Sequence, residues 1–448
     1  MNVIQFEDKP LAHYSYAIIS NHEMAIVDPS RNPKPYYKLA EKHKAKITAV
    51  FETHPHADFV SSHLQIHKET GADIYVSKLV AASYPHKTFD DGDTVNLGNV
   101  TFKAINTPGH SPDSITIIAT AKDNNYVMFS GDTLFIGDVG RPDLREKAGN
   151  MKAKREELAK SMYQTMQTKF NELPDSTIIY PAHGAGSLCG KNMSTDASST
   201  LGRERIGNWA FKDLTEKQFV DHILMDQPFI PSYFGFNVDI NKEGADNFEI
   251  SIAQAEFHFK AQEVSDKDAI IIDVRNAEQY NQNHISGSFN IIAETEDDKL
   301  ETWLGSIVKP EEKFYMVLNS VDDKDAILHR IAKIGYEKQL KGLLTLNDST
   351  FETSEKLNLE DFKKHPDQYT IVDIRNKSEI DEGKFFENAM SHPLNELRDT
   401  ASEIPRDKPI VVHCAGGYRS AAGSSIIQKA LEDVKVYDLS DDIEQFKD

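Results

Sequence analysis

Four short clusters of polar residues follow apolar runs in the first half of the sequence. Imidazole and carboxylate side chains are common ligands of transition metals in proteins. If the apolar runs are strands, their ends can converge on one rim of the fold, so the clusters together predict a metal site. The clusters read THPHAD, TPGH, SGD and PAHG, and they supply His54, His56, Asp58, His110, Asp132 and His183.

A second candidate site lies near the end of the chain, in the loop His413–Ser420. Cys414 follows the apolar run PIVV and precedes AAGSSIIQKALEDV, which reads as a helix. Backbone N–H groups of such a loop, together with the helix N-terminus, can stabilise an anion. We therefore predict a reactive thiolate that accepts and passes on sulfane sulfur, with Arg419 holding an anionic donor or acceptor such as sulfite or thiosulfate.

Short runs rich in β-branched and aromatic residues recur between about residues 14 and 180. This spacing predicts a β-rich domain with added helices, whose strand ends would carry the metal-binding clusters. The stretch from about Met151 to Leu173 has apolar residues at four-residue steps, which predicts a helix packed on the core.

The second half of the sequence contains an internal repeat of one hundred residues. IIIDVRN at 270–276 returns as TIVDIRN at 370–376, and each copy continues with a second apolar run and a helix-like segment. This alternation is typical of a small parallel α/β domain. We predict three domains, at 1–240, 250–350 and 355–448, with a linker between about Gly235 and Ile250.

Composition narrows the classes of partner. The chain has 448 residues with a formal net charge of -21, which disfavours nucleic-acid and anionic membrane surfaces. No segment reads as a leader or a membrane span, so a cytoplasmic protein is expected. Cys189 and Cys414 are the only cysteines, so no disulfide framework is expected.

The four clusters of the first half resemble the motifs of the metallo-β-lactamase superfamily over about 210 residues. The resemblance implies an αββα sandwich with metal at one edge. In members with two metals, a His follows the Asp of the first motif and helps to bind the second metal, but Phe59 stands there in this chain. The resemblance therefore implies one metal, bound by His54, His110 and Asp132. Two imidazoles and one carboxylate suit non-haem Fe(II), so one Fe(2+) per chain is expected.

The same ligand choice and the segment FIGDVGRPDL, residues 135–144, resemble the persulfide dioxygenases. That likeness implies oxidation of a persulfide by O2 to sulfite, with release of the thiol. It also gives His56, Asp58 and His183 the role of orienting the ligands, and it places Arg141 near the thiol part of the substrate.

The loop around Cys414 and the upstream VDIRN resemble a rhodanese domain, a sulfurtransferase. The middle copy aligns Asn319 with Cys414, which implies a rhodanese-like domain without catalysis that acts as a spacer or an assembly surface. A homo-oligomer is expected on that basis. Cys189 has two open readings, a sulfur relay or sensor near the metal and a passive buried thiol. With both sites in one chain, the predicted product is thiosulfate, made from sulfite and the sulfur carried by Cys414.

Two alternatives remain open from the sequence. One is a thioester hydrolase of the glyoxalase II type, which would use two Zn ions, and the other is a sulfide or persulfide sensor or delivery protein. Metal content and O2 uptake distinguish them. The thiol that carries the persulfide is not indicated by any residue, so glutathione, coenzyme A, bacillithiol, cysteine and hydrogen disulfide all remain candidates.

Overall fold

The computed structural model describes residues 1–122, 125–144, 155–258, 269–346 and 351–447. It divides the chain into two compact units. The first unit comprises Met1–Ser251 with Ala332–Gly335, and the second comprises Ile252–Ile331 with Tyr336–Asp448. Both copies of the internal repeat lie in the second unit, apart from residues 332–335 of the middle copy.

The first unit is built on two six-stranded sheets. The first sheet pairs its strands in sequence order: β1 (Asn2–Asp8), β2 (His13–Ser20), β3 (Glu23–Val27), β4 (Lys46–Phe51), β5 (Asp73–Val76) and β6 (Lys87–Thr88). In the second sheet, too, each strand lies beside the next one in the sequence: β7 (Thr94–Leu97), β8 (Val100–Asn106), β9 (Ile115–Ala121), β10 (Tyr126–Gly131), β11 (Ile178–Pro181) and β12 (Ser199–Thr200).

The two sheets enclose one apolar core because successive side chains of each strand point to opposite faces of its sheet. On β2, Tyr16 and Ile18 enter the core between the sheets, while Ala17 faces a second cluster on the other side. On β10, Phe129 enters the same central core and Met128 faces outward. Because side chains of a strand alternate between its two faces, apolar residues at both odd and even positions let these strands pack on both sides.

Helices cover the outer faces of both sheets. Tyr36 of α1 and Ile66 of α2 pack on the first sheet, and Met162 of α3 and Phe219 of α5 pack on the second. The predicted αββα sandwich is thereby confirmed. Of the helix expected from Met151, residues 151–154 lie outside the described residues. The helices of this unit are α1 (Lys34–His43), α2 (His63–Thr70), α3 (Arg155–Thr168), α4 (Leu201–Gly207), α5 (Glu216–Leu224), α6 (Phe234–Glu243) and α7 (Phe248–Ala253).

The linker predicted between about Gly235 and Ile250 is wrong. That segment forms most of α6 and the start of α7. Phe234, Val238 and Asn241 of α6 are buried at the spacing of one helix face, and Phe248 of α7 is buried as well. The Gly, Asn and Asp residues of the segment indicated a loop, but burial of these side chains outweighs that weak preference.

The second unit contains two parallel sheets, one for each copy of the repeat. The first has the order β13-β17-β16-β14-β15 and the second the order β19-β18-β20-β21. Their strands are β13 (Phe257–His258), β14 (Ile270–Asp273), β15 (Phe289–Asn290), β16 (Phe314–Leu318), β17 (Leu340–Thr345), β18 (Thr370–Asp373), β19 (Met390–Ser391), β20 (Ile410–His413) and β21 (Val436–Asp438). The helices are α8 (Ala277–Gln282), α9 (Leu300–Ile307), α10 (Lys324–Lys333), α11 (Leu359–Lys364), α12 (Lys377–Glu382), α13 (Leu397–Thr400) and α14 (Tyr418–Ala430).

The repeated Asp and Arg form the same ion pair in both copies. The guanidinium of Arg275 lies 2.6 Å from the Asp273 carboxylate, and that of Arg375 lies 2.7 Å from Asp373. Arg375 also donates to the carbonyl of Gly383, just after α12. These buried, charge-assisted bonds, together with one from Arg275 to the Asn283 carbonyl, fix α8 at the end of β14 and α12 at the end of β18.

Candidate functional site

The four metal-binding clusters come together at the carboxyl ends of their strands. The THPHAD cluster follows β4 of the first sheet, and the other three clusters follow β8, β10 and β11 of the second sheet. The structure therefore brings the first predicted group into one compact set. His54, His110 and Asp132 are all buried, and each offers a ligand atom within 4.8 Å of the others.

Hydrogen bonds at the far nitrogen orient both imidazoles. His110 Nδ1 donates to the carbonyl oxygen of Arg141 at 2.9 Å, because a carbonyl can only accept. His54 Nδ1 lies 3.0 Å from the hydroxyl of Thr53, which itself donates to Asp28 and so accepts from the ring. In each ring the lone pair is left on Nε2, the atom that faces Asp132.

Asp132 is held by His183 through one oxygen only. His183 Nδ1 donates to Asp132 Oδ1 at 2.7 Å, and His183 Nε2 lies 2.7 Å from Asp58 Oδ2. Asp132 Oδ2 is buried without a hydrogen-bond partner among the described residues. It lies 3.5 Å from His110 Nε2 and 3.8 Å from His54 Nε2. A buried carboxylate oxygen facing two imidazole lone pairs fits a metal cation, since an unpaired buried charge is otherwise costly.

The protonation states of these groups agree with a cation site. Burial, followed by the neighbouring His56, lowers the pKa of His54 well below its ordinary value. Burial opposes ionisation of Asp132, but His183, with His110 and His54, outweighs it and holds the pKa of that carboxyl well below its usual range. Neutral imidazole and ionised carboxylate are the forms that bind metals.

The remaining predicted polar residues line the inner side of this group. His56, Asp58 and His183 are buried and also offer atoms within 4.8 Å of one another. His56 Nε2 lies 3.2 Å from Asp28, whose φ of 49° is unusual for a residue with a side chain. Asp28 also accepts a hydrogen bond from the backbone N–H of Thr53. Because Asp28 directly follows β3, it links the loop that carries His54 and His56 to the end of that strand. Sequence reasoning missed this role of Asp28.

Phe59 fills the place next to the second group with a ring that cannot bind metal. Its side chain is 1% exposed, with its centroid 3.9 Å from that of His13 and 4.4 Å from that of His56. His13, which the sequence analysis did not single out, is buried between this ring and His183. Aromatic packing therefore occupies the position that directly follows Asp58.

The metal-binding loops are fixed from outside by two further residues. Asn241 of α6 donates to the carbonyls of His56 and Phe59, at 2.8 and 2.7 Å. Gly131 has a φ of 55°, and a Cβ there would lie 2.6 Å from the Thr53 hydroxyl. Only glycine lets β10 and the first loop approach this closely. Asn241 lies in the segment predicted as a linker, so no local pattern indicated its role.

Arg141 and Cys189 lie beside the metal-binding group. The Arg141 guanidinium pairs with both oxygens of Asp143 at 2.7 Å and donates to the carbonyl of Leu188. Cys189 is 1% exposed, and its sulfur belongs to a buried set with Asp132 and His183. Burial and the nearby Asp132 raise the pKa of the Cys189 thiol. The substrate role of Arg141 stays a prediction, and its guanidinium is hydrogen-bonded to Asp143 and Leu188 of the same domain.

The second candidate site has the predicted strand, loop and helix. Cys414 directly follows β20, and α14 begins at Tyr418. The sulfur-bearing residue is 1% exposed. Arg419 forms two hydrogen bonds of 2.6 Å to the carboxylate of Glu379 on α12. Sequence reasoning missed this partner, and the predicted anion-binding role of Arg419 stays a prediction.

The strand register corrects the alignment of the middle copy by one residue. Asp373 pairs with His413 in the last copy, and Asp273 pairs with Val317 in the middle copy. Leu318, rather than Asn319, therefore occupies the position of Cys414. Leu318 is fully buried, and neither side chain carries a thiol. The absence of a sulfur-carrying cysteine from this copy is unaffected.

Comparison with known proteins agrees with this architecture. The model of the metallo-beta-lactamase superfamily matches residues 8–183, and that of the rhodanese-like domain matches 259–342 and 358–448. A crystal structure of a metallo-beta-lactamase from Staphylococcus aureus subsp. aureus COL is 31% identical, covers 77% of this chain and 99% of its own, and has a TM-score of 0.68. This chain belongs to the metallo-β-lactamase superfamily. Rhodanese-like domains follow the metallo-β-lactamase domain.

Two curated relatives of this metallo-β-lactamase domain carry hydrolase names. A probable hydroxyacylglutathione hydrolase of Schizosaccharomyces pombe is 26% identical over 48% of this chain and 88% of its own. A cytoplasmic hydroxyacylglutathione hydrolase of Arabidopsis thaliana is 33% identical over 38% of this chain and 63% of its own. Among the described residues, no helix combines the length and apolar character that crossing a membrane requires.

Proposed function

We propose that this chain oxidises a low-molecular-weight thiol persulfide with O2 and transfers a second sulfur to the sulfite formed, giving thiosulfate. The observation that carries the proposal is the convergence of His54 Nε2, His110 Nε2 and Asp132 Oδ2, with the ring of Phe59 against the neighbouring His56. This ligand set leaves coordination positions open for substrate and O2. The proposed cofactor is one Fe(II) per chain, and the physiological setting is sulfide detoxification.

The metal domain provides the ligands and the hydrogen bonds that hold them. When bound, Fe(II) supplies the redox chemistry that lets O2 oxidise sulfane sulfur. The Arg141 carbonyl and Thr53 hydroxyl orient the imidazoles, and His183 orients Asp132. The overall change is RSSH + O2 + H2O giving RSH + SO3²⁻ + 2 H⁺. The sulfane sulfur is oxidised to the level of sulfite, and both oxygen atoms of O2 are reduced.

The last domain supplies the second sulfur. Cys414 thiolate attacks the sulfane sulfur of another persulfide, which forms Cys414-S-S⁻ and breaks the S–S bond to release RSH. Sulfite then attacks the outer sulfur of the Cys414 persulfide, which gives thiosulfate and regenerates the Cys414 thiolate. Atoms and electrons balance in both steps without another reagent. The position of Cys414, at the end of β20 and before the N-terminus of α14, supports this role.

Thioester hydrolysis is the competing function, and the names of the two curated relatives favour it. The buried group His56, Asp58 and His183 has donor atoms that a second metal could use. Two observations argue against hydrolysis. Phe59 has a side chain that cannot bind a metal, and both ring nitrogens of His183 lie 2.7 Å from carboxylate oxygens. The rhodanese-like domains also have no role in hydrolysing a thioester.

Oxygen uptake tests the proposed function directly. The full chain is loaded with Fe(II) without air and then given persulfides of glutathione, coenzyme A, bacillithiol and cysteine, and hydrogen disulfide. We expect O2 uptake with at least one of them, with thiosulfate as the product. A glutathione thioester is assayed in parallel. Thioester turnover without persulfide-dependent O2 uptake would overturn the proposal in favour of hydrolysis, and inactivity with both would overturn it in favour of a sensor or delivery protein.

Replacing Phe59 with histidine is expected to raise the metal content from one towards two ions per chain. The new imidazole would stand next to Asp58, whose Oδ1 is buried without a hydrogen-bond partner among the described residues. Phe59→Leu, which adds no ligand, is the matched control and should stay at one. Metal analysis after equilibration with Zn(II) makes the measurement. An unmodified chain that already binds two ions would contradict the one-metal assignment.

A further inference from the structure

The cysteine-free middle copy lies against the helix that follows Cys414. Both copies belong to the second unit, and the contact runs along α14. Tyr418, Ser425 and Lys429 face the middle copy, and their spacing of seven and four residues places them on one side of the helix. This face is separate from Arg419, which pairs with Glu379.

The contact begins at the loop itself. The hydroxyl of Tyr418, the first residue of α14, donates to the carbonyl oxygen of Ile292 at 3.0 Å. That carbonyl lies on a fixed stretch of backbone, because the N–H groups of Ile291 and Ala293 both donate to carbonyls at the end of β14, each at 2.9 Å. The acceptor for Tyr418 is thus held by the sheet of the middle copy.

Further contacts continue along the same face. The backbone N–H of Asn290 donates to Ser425 Oγ at 3.0 Å, and this pair is buried. The ammonium of Lys429 lies 4.9 Å from the centre of the Phe289 ring, within the range of a cation–π contact. Residues 289–292 therefore run beside α14 and meet it at three successive points.

The residues on either side of Tyr418 are fixed by other elements. Gly417 has a φ of 85°, and a Cβ there would come within 3 Å of the Asp441 backbone N, so this glycine is closely packed against the segment after β21. Arg419 is fixed by Glu379 of α12. Of the three residues 417–419, Tyr418 is the one that hydrogen-bonds to the middle copy.

We propose that the middle copy is a positioning element for the Cys414 loop, which it holds through the hydrogen bond from Tyr418 to the Ile292 carbonyl. The inference rests on the proposed sulfur transfer at Cys414 and gives the cysteine-free copy a part in it. Backbone N–H groups stabilise the sulfur anion only when the loop keeps its shape, so loss of the tie slows transfer.

The test compares two tyrosines that lose the same hydroxyl. Tyr418→Phe removes the hydrogen bond to the Ile292 carbonyl and leaves the contacts of Ser425 and Lys429 with the middle copy in place. Tyr336→Phe removes a buried hydroxyl that donates to the Val308 carbonyl at 2.7 Å within the middle copy, and it serves as the matched control. Transfer of sulfur from thiosulfate to a thiol is measured in the full chain, together with the rate at which iodoacetamide alkylates Cys414, read by peptide mass spectrometry.

We expect Tyr418→Phe to lower kcat for transfer about three- to tenfold, the range for loss of one neutral hydrogen bond, with little change in KM for thiosulfate. The alkylation rate of Cys414 should change as well, and Tyr336→Phe should change neither quantity. Equal effects of the two variants, or no effect of Tyr418→Phe, would overturn the inference. If the unmodified chain transfers no sulfur, the proposed function fails, and the alkylation rates still decide whether the middle copy positions the loop.

Discussion

Replacing Asp132 with asparagine is expected to remove bound iron and to lower persulfide-dependent O2 uptake at least about a hundredfold, since changes to metal-orienting groups alone cost up to that factor. Asp132 Oδ2 faces both His54 and His110, and that oxygen has no hydrogen-bond partner among the described residues. An amide at this position carries no charge to offset the cation. Iron content and O2 uptake, measured on the same preparation, check the result.

The control for this substitution is the same change at an exposed site. Asp91→Asn removes a half-exposed carboxylate that pairs with Lys169, outside the metal-binding group. Exposed ion pairs contribute little to stability, so this variant should retain iron and O2 uptake. Far-ultraviolet circular dichroism establishes that both variants are folded. A folded Asp132→Asn protein with full iron content and normal O2 uptake would be incompatible with the assigned ligand set.

Replacing Cys414 with serine is expected to change the product from thiosulfate to sulfite while leaving O2 uptake intact. Serine preserves the size of the side chain but forms no persulfide, so the sulfite released by the metal domain finds no sulfur to accept. One sulfite should then accumulate for each O2 consumed, because oxidation of one persulfide to sulfite uses one O2. Ion chromatography of the products, with O2 followed by electrode, makes the measurement.

The two halves of this result are independent. Unchanged O2 uptake reports on the metal domain, and the ratio of sulfite to thiosulfate reports on Cys414. Ser424→Ala, on α14 but outside the Cys414–Arg419 loop, is a suitable comparison because it also changes one small side chain, a half-buried hydroxyl that donates to the Ala421 carbonyl. Thiosulfate formed by Cys414→Ser at the normal rate would show that the coupling between the two sites is absent.

The strands of the first unit could be predicted because they depend on local patterns, whereas the αββα arrangement was implied by the resemblance to the metallo-β-lactamase superfamily. Alternating apolar residues specify the strands, and each metal-binding cluster directly follows one of them. The sequence analysis required only that the strand ends converge, and the resemblance then selected His54, His110 and Asp132 as the ligands. The sequence could not indicate α6, because its apolar face becomes apparent only against the surface that buries Phe234 and Val238.

The supporting contacts were beyond sequence reasoning for a different physical reason. Asn241 acts on the first metal-binding loop from 185 and 182 residues further along the chain, through two backbone carbonyls that no side-chain pattern marks. Asp28 acts through a strained backbone conformation and a hydrogen bond to Thr53. Such contacts depend on tertiary packing, and no spacing rule predicts them.

The repeat illustrates how register limits a single-sequence alignment. Matching the apolar runs placed Asn319 opposite Cys414, whereas pairing between strands places Leu318 there. The one-residue difference matters because alternate positions of a strand face opposite sides. The conclusion about catalysis survived because both residues lack a thiol, but the contacts of the middle copy, including the tie to Tyr418, required the structure.

The most direct test of the central claim is to titrate the metal-free chain with Fe(II) and follow bound iron and persulfide-dependent O2 uptake in the same samples. The account predicts that activity rises in proportion to bound iron, reaches its maximum at one iron per chain, and is absent from the Zn(II)-loaded protein. A chain that requires two metal ions, or whose Zn(II) form hydrolyses thioesters while its Fe(II) form consumes no O2, would contradict it.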